Sequence, residues 1–249
     1  MISKNKISEL RKLHLRKFRD ESRLFIVEGR KSVEMLLDSP FNIRELFATE
    51  SFVRQYKTLL HGHPVVIGSP ADLERISALS TSPEILAVVQ QPLCAEPIAD
   101  DKPIIALDRI ADPGNMGTII RTADWFGIQQ VICSLDCVEL YNPKTIQATM
   151  GSFCHVNVSR RSLLDFLQEQ RSHRRIVGAF LGGEDVRTFD FQQNDILVIG
   201  SESHGISPEV AARMTHKITI PCGVQNAPTA ESLNAAVAAA ILMFKMNVK

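Results

Sequence analysis

From Ile104 onward, short apolar segments alternate with segments of helical periodicity, and this alternation constrains the fold more than any other feature of the chain. The predicted strands are residues 104–108, 131–133, 154–158, 176–180, 196–200 and 217–220. The predicted helices lie at 116–126, 143–150, 162–170 and 231–246. Strands that alternate with helices form a mostly parallel sheet with helices packed on its faces. Ligands of such sheets bind at the carboxyl ends of the strands, so the loops that follow strands are the first candidates for chemistry.

The amino-terminal part of the chain predicts a separate, smaller α/β unit. Its predicted elements are strands at 24–27, 65–67 and 85–89 and helices at 31–37 and 71–79. Residues 94–103, CAEPIADDKP, contain two prolines and three acidic residues with little apolar content, which is typical of a linker. We therefore predict two domains, residues 1–95 and residues 103–249.

Charge is unevenly distributed although its total is zero. The 28 Lys and Arg residues balance 28 Asp and Glu residues, which by itself argues against a nucleic-acid partner. Residues 1–31, however, carry ten basic and four acidic groups, a net charge of +6 that leaves −6 on the rest. Within them, KISELRKLHLRKF predicts an amphipathic helix with a basic face. This face is either an ordinary solvated surface or an RNA-backbone contact, and the candidate RNA-binding residues are Arg11, Lys12, Arg16 and Lys17.

Composition excludes several classes of protein. A chain with 45% hydrophobic and 22% charged residues is unlike a disordered one. The longest apolar run, residues 235–244, is about half a membrane span, and the amino terminus lacks the apolar stretch of a signal peptide. Five scattered cysteines without a CxxC motif fit a reduced compartment better than a disulfide framework. We therefore expect a soluble, cytoplasmic protein.

The first of three polar, glycine-containing loops is residues 107–127, LDRIADPGNMGTIIRTADWFG. It runs from a strand through a Pro-Gly turn into a helix that Asn115 is placed to cap. A turn and a cap do not explain Arg121, which lies among apolar residues where an unpaired guanidinium would be costly to bury. Trp125 is predicted to lie in the core or in an interface rather than to stack on a base.

The second loop, residues 198–210, is VIGSESHGISPEV. It places Gly200, Glu202 and Gly205 between a strand and a helix that Ser207 opens. Glu202 is a candidate for chemistry or, alternatively, a cap for neighbouring backbone amides. His204 has no second ligand at metal-binding spacing, so we read it as a solvent-facing turn residue and predict no metal site.

The third loop lies within residues 218–244, where a strand ends at Ile220 and a helix is predicted from Glu231. Ser232 and Asn234 then fall in the first helical turn, where free backbone amides and the helix dipole favour an electron-rich ligand. The small apolar residues that follow predict a helix buried in the core or across a subunit interface.

Together the three loops resemble the signature motifs of the SpoU (TrmH) family of RNA ribose 2′-O-methyltransferases, in the SPOUT superfamily. NMGTIIRTADWFG resembles the first motif, GSESHG the second, and IP followed by ESLN and a small-residue helix the third. The resemblance covers residues 103–246. SRLFIVEGRKSVEMLL, residues 22–37, looks like the substrate-binding domain often attached to this family, which resembles an RNA-binding ribosomal-protein fold.

The resemblance implies a mostly parallel sheet with a carboxyl-terminal trefoil knot, a homodimer, and S-adenosylmethionine as cofactor. It also implies methyl transfer to a ribose 2′-hydroxyl of RNA, and the attached amino-terminal domain favours ribosomal over transfer RNA. The implied catalytic residues are Asn115, Arg121, Glu202, Ser232 and Asn234. The implied cofactor-binding residues are Gly200, Gly205, Ile220 and Leu233.

In one respect the chain departs from the family. Nine residues lie between Pro221 and Glu231, more than the family usually has, and they could reshape entry of the cofactor. This leaves open a non-catalytic RNA-binding or ribosome-assembly protein that keeps the fold, and also a transfer-RNA methyltransferase. A dinucleotide-dependent enzyme is disfavoured because the PGNMG loop contains no GxGxxG motif.

Overall fold

The computed structural model describes residues 2–92, 101–223 and 230–247, and contacts divide the chain into two compact units. The first unit comprises Met1–Cys94 with Glu139–Cys154, and the second comprises Ala95–Val138 with His155–Lys249. The units therefore do not correspond to a single cut in the chain. The predicted linker at 94–103 lies largely outside the described residues, so a boundary there stays a prediction.

A four-stranded sheet organises the first unit. Its strands are β1 (Leu24–Glu28), β2 (Ile43–Ala48), β3 (Val65–Ile67) and β4 (Ile85–Gln90). Its helices are α1 (Lys4–Lys12), α2 (Arg16–Ser22), α3 (Arg30–Leu37), α4 (Glu50–Gln55), α5 (Pro70–Ile76), α7 (Pro143–Thr149) and a 3-10 helix (Ser152–Cys154). The strand order is β1-β4-β2-β3, with β4 antiparallel to both neighbours. The sequence missed β2 because Arg44 and Glu45 interrupt its apolar pattern.

The basic amino-terminal segment forms two helices, so the single helix predicted there is wrong. Leu15 has an extended backbone between α1 and α2. Three side chains of the segment, Ile7, Leu10 and Leu13, are buried in a cluster with apolar residues of the sheet and α5. Burial of these side chains anchors α1, and the chain then turns before α2 begins.

The sheet of the second unit is parallel in every pairing between its strands, which confirms the predicted mostly parallel fold. Its strands are β5 (Ile104–Asp108), β6 (Gln130–Cys133), β7 (Asn157–Arg160), β8 (Ile176–Asp185), β9 (Ile196–Gly200) and β10 (His216–Thr219), in the order β10-β8-β9-β5-β6-β7. Its helices are α6 (Pro113–Trp125), α8 (Leu163–Gln170), α9 (Pro208–Ala211) and α10 (Ala235–Asn247). The central strand β5 is buried along its whole length, as expected for a strand covered on both faces.

Several element boundaries differ from the prediction. Strand β7 is Asn157–Arg160 instead of residues 154–158, because Ser152–Cys154 forms a 3-10 helix. Helix α6 begins at Pro113 because Asp112, not Asn115, caps it. Strand β8 continues to Asp185 because Gly183 lies against the backbone of β10, where a Cβ would stand 2.6 Å from the carbonyl oxygen of Lys217. Helix α10 begins at Ala235 rather than near residue 231. No helix within the described residues is long and apolar enough to cross a membrane.

Candidate active site

The first two motif loops leave adjacent strand ends at the carboxyl edge of the second sheet. Asp108, the last residue of β5, is paired in register with Gly200, the last residue of β9. Helix α10, which follows the third loop, packs against α6 of the first motif. The fold therefore brings all three motifs to one place, as the topology of parallel sheets leads one to expect.

The first motif presents the side chain of Asn115 from the opening turn of α6. Asp112 caps the helix by accepting a hydrogen bond from the backbone N–H of Asn115 at 2.8 Å, and Pro113 occupies the first helical position. Capping by Asp112 frees the carboxamide of Asn115 for contacts outside the helix. The signal for this cap in the sequence is the pair Asp112-Pro113, a capping residue followed by proline at the first helical position.

The second motif folds into a tight turn that requires glycine at two positions. A Cβ on Gly200 would lie 2.2 Å from the carbonyl carbon of Gly205, and Gly205 has a φ of +62°, which favours glycine. Ser201 and Gly205 exchange two backbone hydrogen bonds, at 2.8 and 3.2 Å. The two glycines therefore allow the tight turn that presents Glu202, independently of any contact they make with a bound cofactor.

Asn115, Glu202 and Asn234 form a hydrogen-bonded group that we name the Asn–Glu–Asn cluster. Oε1 of Glu202 accepts from Nδ2 of Asn115 at 3.1 Å and from Nδ2 of Asn234. Nδ2 of Asn234 also donates to Oδ1 of Asn115 at 2.9 Å. One residue from each motif therefore contributes to a single polar group.

The cluster is fixed to the amino terminus of α10. Oδ1 of Asn234 accepts from the backbone N–H groups of Ala236 at 3.0 Å and Val237 at 3.2 Å, which makes Asn234 the helix cap. Glu202 accepts from the backbone N–H of Ala235 at 3.1 Å, so its carboxylate lies at the positive end of the helix dipole. Glu202 therefore both caps a backbone amide, as one of the two predictions stated, and accepts hydrogen bonds from the two asparagine side chains.

Arg121 and Ser232 do not join the Asn–Glu–Asn cluster. Arg121 follows Asn115 by six helical residues, which places it about 9 Å further along α6 and about 240° around it. It is exposed, so its guanidinium avoids the cost that burial among the neighbouring apolar residues would carry. Ser232 is also exposed, two residues before Asn234.

The predicted cofactor-binding side chains border the same edge. Ile220 is half-buried directly after β10, and Leu233 is 45% exposed beside Asn234. An apolar side chain that remains exposed next to a polar cluster is suited to contact a ligand. Residues 224–229 of the long third loop lie outside the described residues.

Two further predictions about side chains concern His204 and Trp125. His204 is exposed, and its Nδ1 lies 2.8 Å from the hydroxyl of the adjacent Ser203. Within the described residues, no group of three or more His, Cys, Asp or Glu side chains could hold a metal ion. Trp125 is 84% exposed, which excludes a core position and leaves the interface prediction.

Trp125 belongs to an exposed apolar surface on α6 and α10, which we name the α6/α10 face. Val237, Ile241 and Phe244 recur at four- and three-residue steps along α10 and all remain substantially exposed. The ring of Phe244 lies 6.2 Å from that of Phe126, the residue after Trp125. Helix α10 is thus buried on one side only, and its other side presents apolar groups to solvent.

The four predicted RNA-binding residues of the first unit, Arg11, Lys12, Arg16 and Lys17, are all exposed. Arg16 and Lys17 form long ion pairs with carboxylates one helical turn away. Arg19, counted among the basic groups, is instead only 2% exposed and pairs with Glu139. Its guanidinium therefore stabilises the packing of the segment Glu139–Cys154 and is not a candidate for RNA contact.

Comparison with known proteins agrees with this geometry. Residues 102–244 match the model of the SpoU rRNA Methylase family, and residues 4–87 match that of the MRM3-like substrate binding domain. The 23S rRNA (guanosine(2553)-2′-O)-methyltransferase RlmP of Bacillus subtilis is 30% identical over 97% of this chain and 95% of its own length.

Two solved structures have the same fold over nearly the whole chain. The SpoU methyltransferase AviRb from Streptomyces viridochromogenes, in complex with AdoMet, is 26% identical with a TM-score of 0.86 and covers 98% of this chain and 97% of its own. An AdoMet-bound rRNA methyltransferase from Sinorhizobium meliloti is 30% identical with a TM-score of 0.85 and covers 99% and 95%. The chain belongs to the SpoU rRNA methylase family.

Proposed function

We propose that this protein transfers a methyl group from S-adenosylmethionine to a ribose 2′-hydroxyl of RNA, and that the RNA is ribosomal rather than transfer RNA. The observation that carries the proposal is the Asn–Glu–Asn cluster, which joins one polar residue from each motif at the carboxyl edge of the sheet. The relatives named for 23S rRNA methylation and the AdoMet-bound structures support the choice of substrate and cofactor. We place the activity in the cytoplasm.

The residues available at this edge fit the cofactor. Gly200 and Gly205 bring backbone amides and carbonyls into a tight turn, and Ile220 and Leu233 offer apolar surface for an adenine ring. When bound, S-adenosylmethionine supplies an activated methyl group on a sulfonium. The trefoil knot that the family resemblance implies stays a prediction.

The chain's own contribution is to align the hydroxyl and to stabilise the negative charge that develops on its oxygen as the proton passes to solvent water. Correct alignment can be worth roughly 7 to 11 kcal/mol, so well-placed donors can matter more than a strong base. Asn234, with Ser232 nearby, positions the hydroxyl, while Glu202 holds Asn234 and Asn115 in place. Arginine holds its proton tightly, so Arg121 acts on the RNA phosphate and on developing negative charge rather than as a base.

The α6/α10 face supports a homodimer. Its exposed apolar residues would lose contact with water in a two-fold pairing of this face, and Arg121 lies on the exposed side of the same α6. Ile241→Glu is expected to convert a dimer to a monomer in light scattering, whereas Leu181→Glu, an equally drastic change at an 82% exposed site, should not. A monomeric wild type would contradict the dimer.

The activity itself is tested by mapping ribose methylation in cellular RNA, by mass spectrometry, with and without the gene. Loss of one ribosomal-RNA methyl group supports the proposal, and loss of a transfer-RNA methyl group corrects the substrate. Calorimetry with S-adenosylmethionine addresses the non-catalytic alternative. Absence of cofactor binding together with an unchanged methylation map would favour an RNA-binding or assembly protein.

A further inference from the structure

Two arginines at the carboxyl edge of the second sheet have no role in the site described above. Arg109 follows β5 directly, and Arg160 is the last residue of β7. Both stand at the same edge as the motif loops, because β9, β5, β6 and β7 are consecutive parallel strands. The register pairs Gly200 with Asp108, and Cys133 with both Leu107 and Arg160.

Arg109 is held in place by its neighbours although its backbone is unfavourable for arginine. Its φ is +59°, in the left-handed region that favours glycine. The backbone N–H of Arg109 donates to Oγ of Ser134 at 3.0 Å. Its Nε faces the buried carboxylate of Asp108 at 3.8 Å, and that carboxylate also accepts from the backbone N–H of Ser207 at 2.6 Å.

This arrangement leaves the terminal nitrogens of the Arg109 guanidinium available to bind a ligand. Its Nε is buried without a hydrogen-bond partner, while 35% of the side chain is exposed to solvent. Within the described part of the chain, neither terminal nitrogen of its guanidinium has a hydrogen-bond partner. A strained arginine that is oriented by a buried carboxylate, with its terminal N–H groups free, is suited to bind an anion.

Arg160 offers a second free cation at the same edge. It is exposed, and its side chain forms no hydrogen bond or ion pair with any described residue. The adjacent Arg161 differs, because Glu169 accepts two hydrogen bonds from it at 2.9 and 3.0 Å. Arg109 and Arg160 are separated by two strand spacings, about 10 Å, which is close enough to act together on a polyanion at physiological salt.

We propose that Arg109 and Arg160 form a phosphate-binding site for the RNA strand at the carboxyl edge of the catalytic sheet, beside the Asn–Glu–Asn cluster. This inference rests on the proposed function, since the polyanion is its RNA substrate. The two arginines hold nucleotides that flank the modified one, so they act as positioning residues. They belong to the second unit, whereas the basic helices α1 and α2 belong to the first.

The salt dependence of RNA binding tests this proposal, with deproteinised total ribosomal RNA as the probe. Each phosphate contact contributes about 0.7 to 0.9 to the slope of log K against log salt. Arg109→Gln and Arg160→Gln should each reduce the slope by that amount and weaken binding about fivefold at physiological salt. Arg109→Lys and Arg160→Lys keep the charge and should retain the slope.

Arg171→Gln is the matched control. Arg171 is exposed at the end of α8, which returns the chain from the carboxyl end of β7 to the amino end of β8, so it lies at the opposite edge of the sheet. An unchanged slope in Arg109→Gln or in Arg160→Gln would overturn the two-arginine site, as would an equal decrease in Arg171→Gln. A loss of S-adenosylmethionine affinity without a change in slope would overturn it too.

Two further measurements distinguish failure of the two-arginine site from misfolding of a variant and from failure of the proposed function. If Arg109→Gln fails to fold because Asp108 loses its cation, Arg160→Gln, which removes an exposed side chain, still decides the question. Methyl transfer by the wild type is measured in parallel. A wild type that methylates RNA while the variants keep their slopes refutes only this inference, whereas a wild type without activity refutes the proposed function.

Discussion

Asn234 combines two roles that substitution can separate. Its Oδ1 caps α10 by accepting from Ala236 and Val237, while its Nδ2 donates to Glu202 and Asn115. Asn234→Ala removes both roles, but Asn234→Ser retains a capping hydroxyl of equal rank and removes only the donors. Loss of a cap costs about 1 kcal/mol, which lowers Tm by about 2 to 4 °C in a protein of this size. The Ser variant should therefore melt close to the wild type.

Methylation activity should decrease by the same factor in Asn234→Ala and Asn234→Ser, because both variants lack the Nδ2 donor. The missing Nδ2 donor helps to align the ribose hydroxyl, and a loss of about 1.4 kcal/mol of transition-state stabilisation lowers kcat/KM about tenfold, so we expect at least that decrease in each variant. The assay is transfer of a labelled methyl group from S-adenosylmethionine into ribosomal RNA, with melting followed by circular dichroism. Near-normal turnover in Asn234→Ser would refute the reasoning, because Asn234 would then be a helix cap only.

Three further predictions concern residues outside this cluster. Arg121→Ala should lower methylation at least about tenfold at unchanged Tm, because its side chain is exposed; near-normal turnover would remove it from the site. Arg19→Met should destabilise the first unit by about 3 kcal/mol in urea unfolding, since it leaves Glu139 only the longer ion pair with Arg16 at 3.8 Å, and an unchanged midpoint would contradict this. Neutralising Arg11 and Lys12 together should weaken RNA binding and its salt dependence while cofactor affinity stays constant, and an unchanged salt slope would assign them to an ordinary solvated face.

The charge distribution alone would suggest deletion of residues 1–20 as the test of RNA binding. Neutralising Arg11 and Lys12 is the better test. The structure shows why deletion is unsuitable. Ile7, Leu10 and Leu13 are part of the core of the first unit, so removing them would expose apolar surface of the sheet. A change in RNA binding would then report partial unfolding rather than loss of phosphate contacts.

The sequence by itself determined the two central strands of the catalytic sheet. Strands covered on both faces are continuous apolar runs, and IIALD and ILVIG were predicted with the bounds they have in β5 and β9. The motif spacing likewise identified the loops that carry Asn115, Glu202 and Asn234. Such local patterns depend on few neighbours, which is why they can be read without coordinates.

Only the tertiary structure decided which side chains meet. Asn115 and Asn234 are 119 residues apart, and no periodicity indicates that both donate to Glu202. The structure also placed Arg121 on an exposed helix face and buried Arg19 against Glu139, although both are arginines within helices of mixed polarity. Sequence fixes a residue's place along its own helix or strand, but the contact between two elements depends on how they pack, because hydrogen bonds and ion pairs act over only a few ångströms.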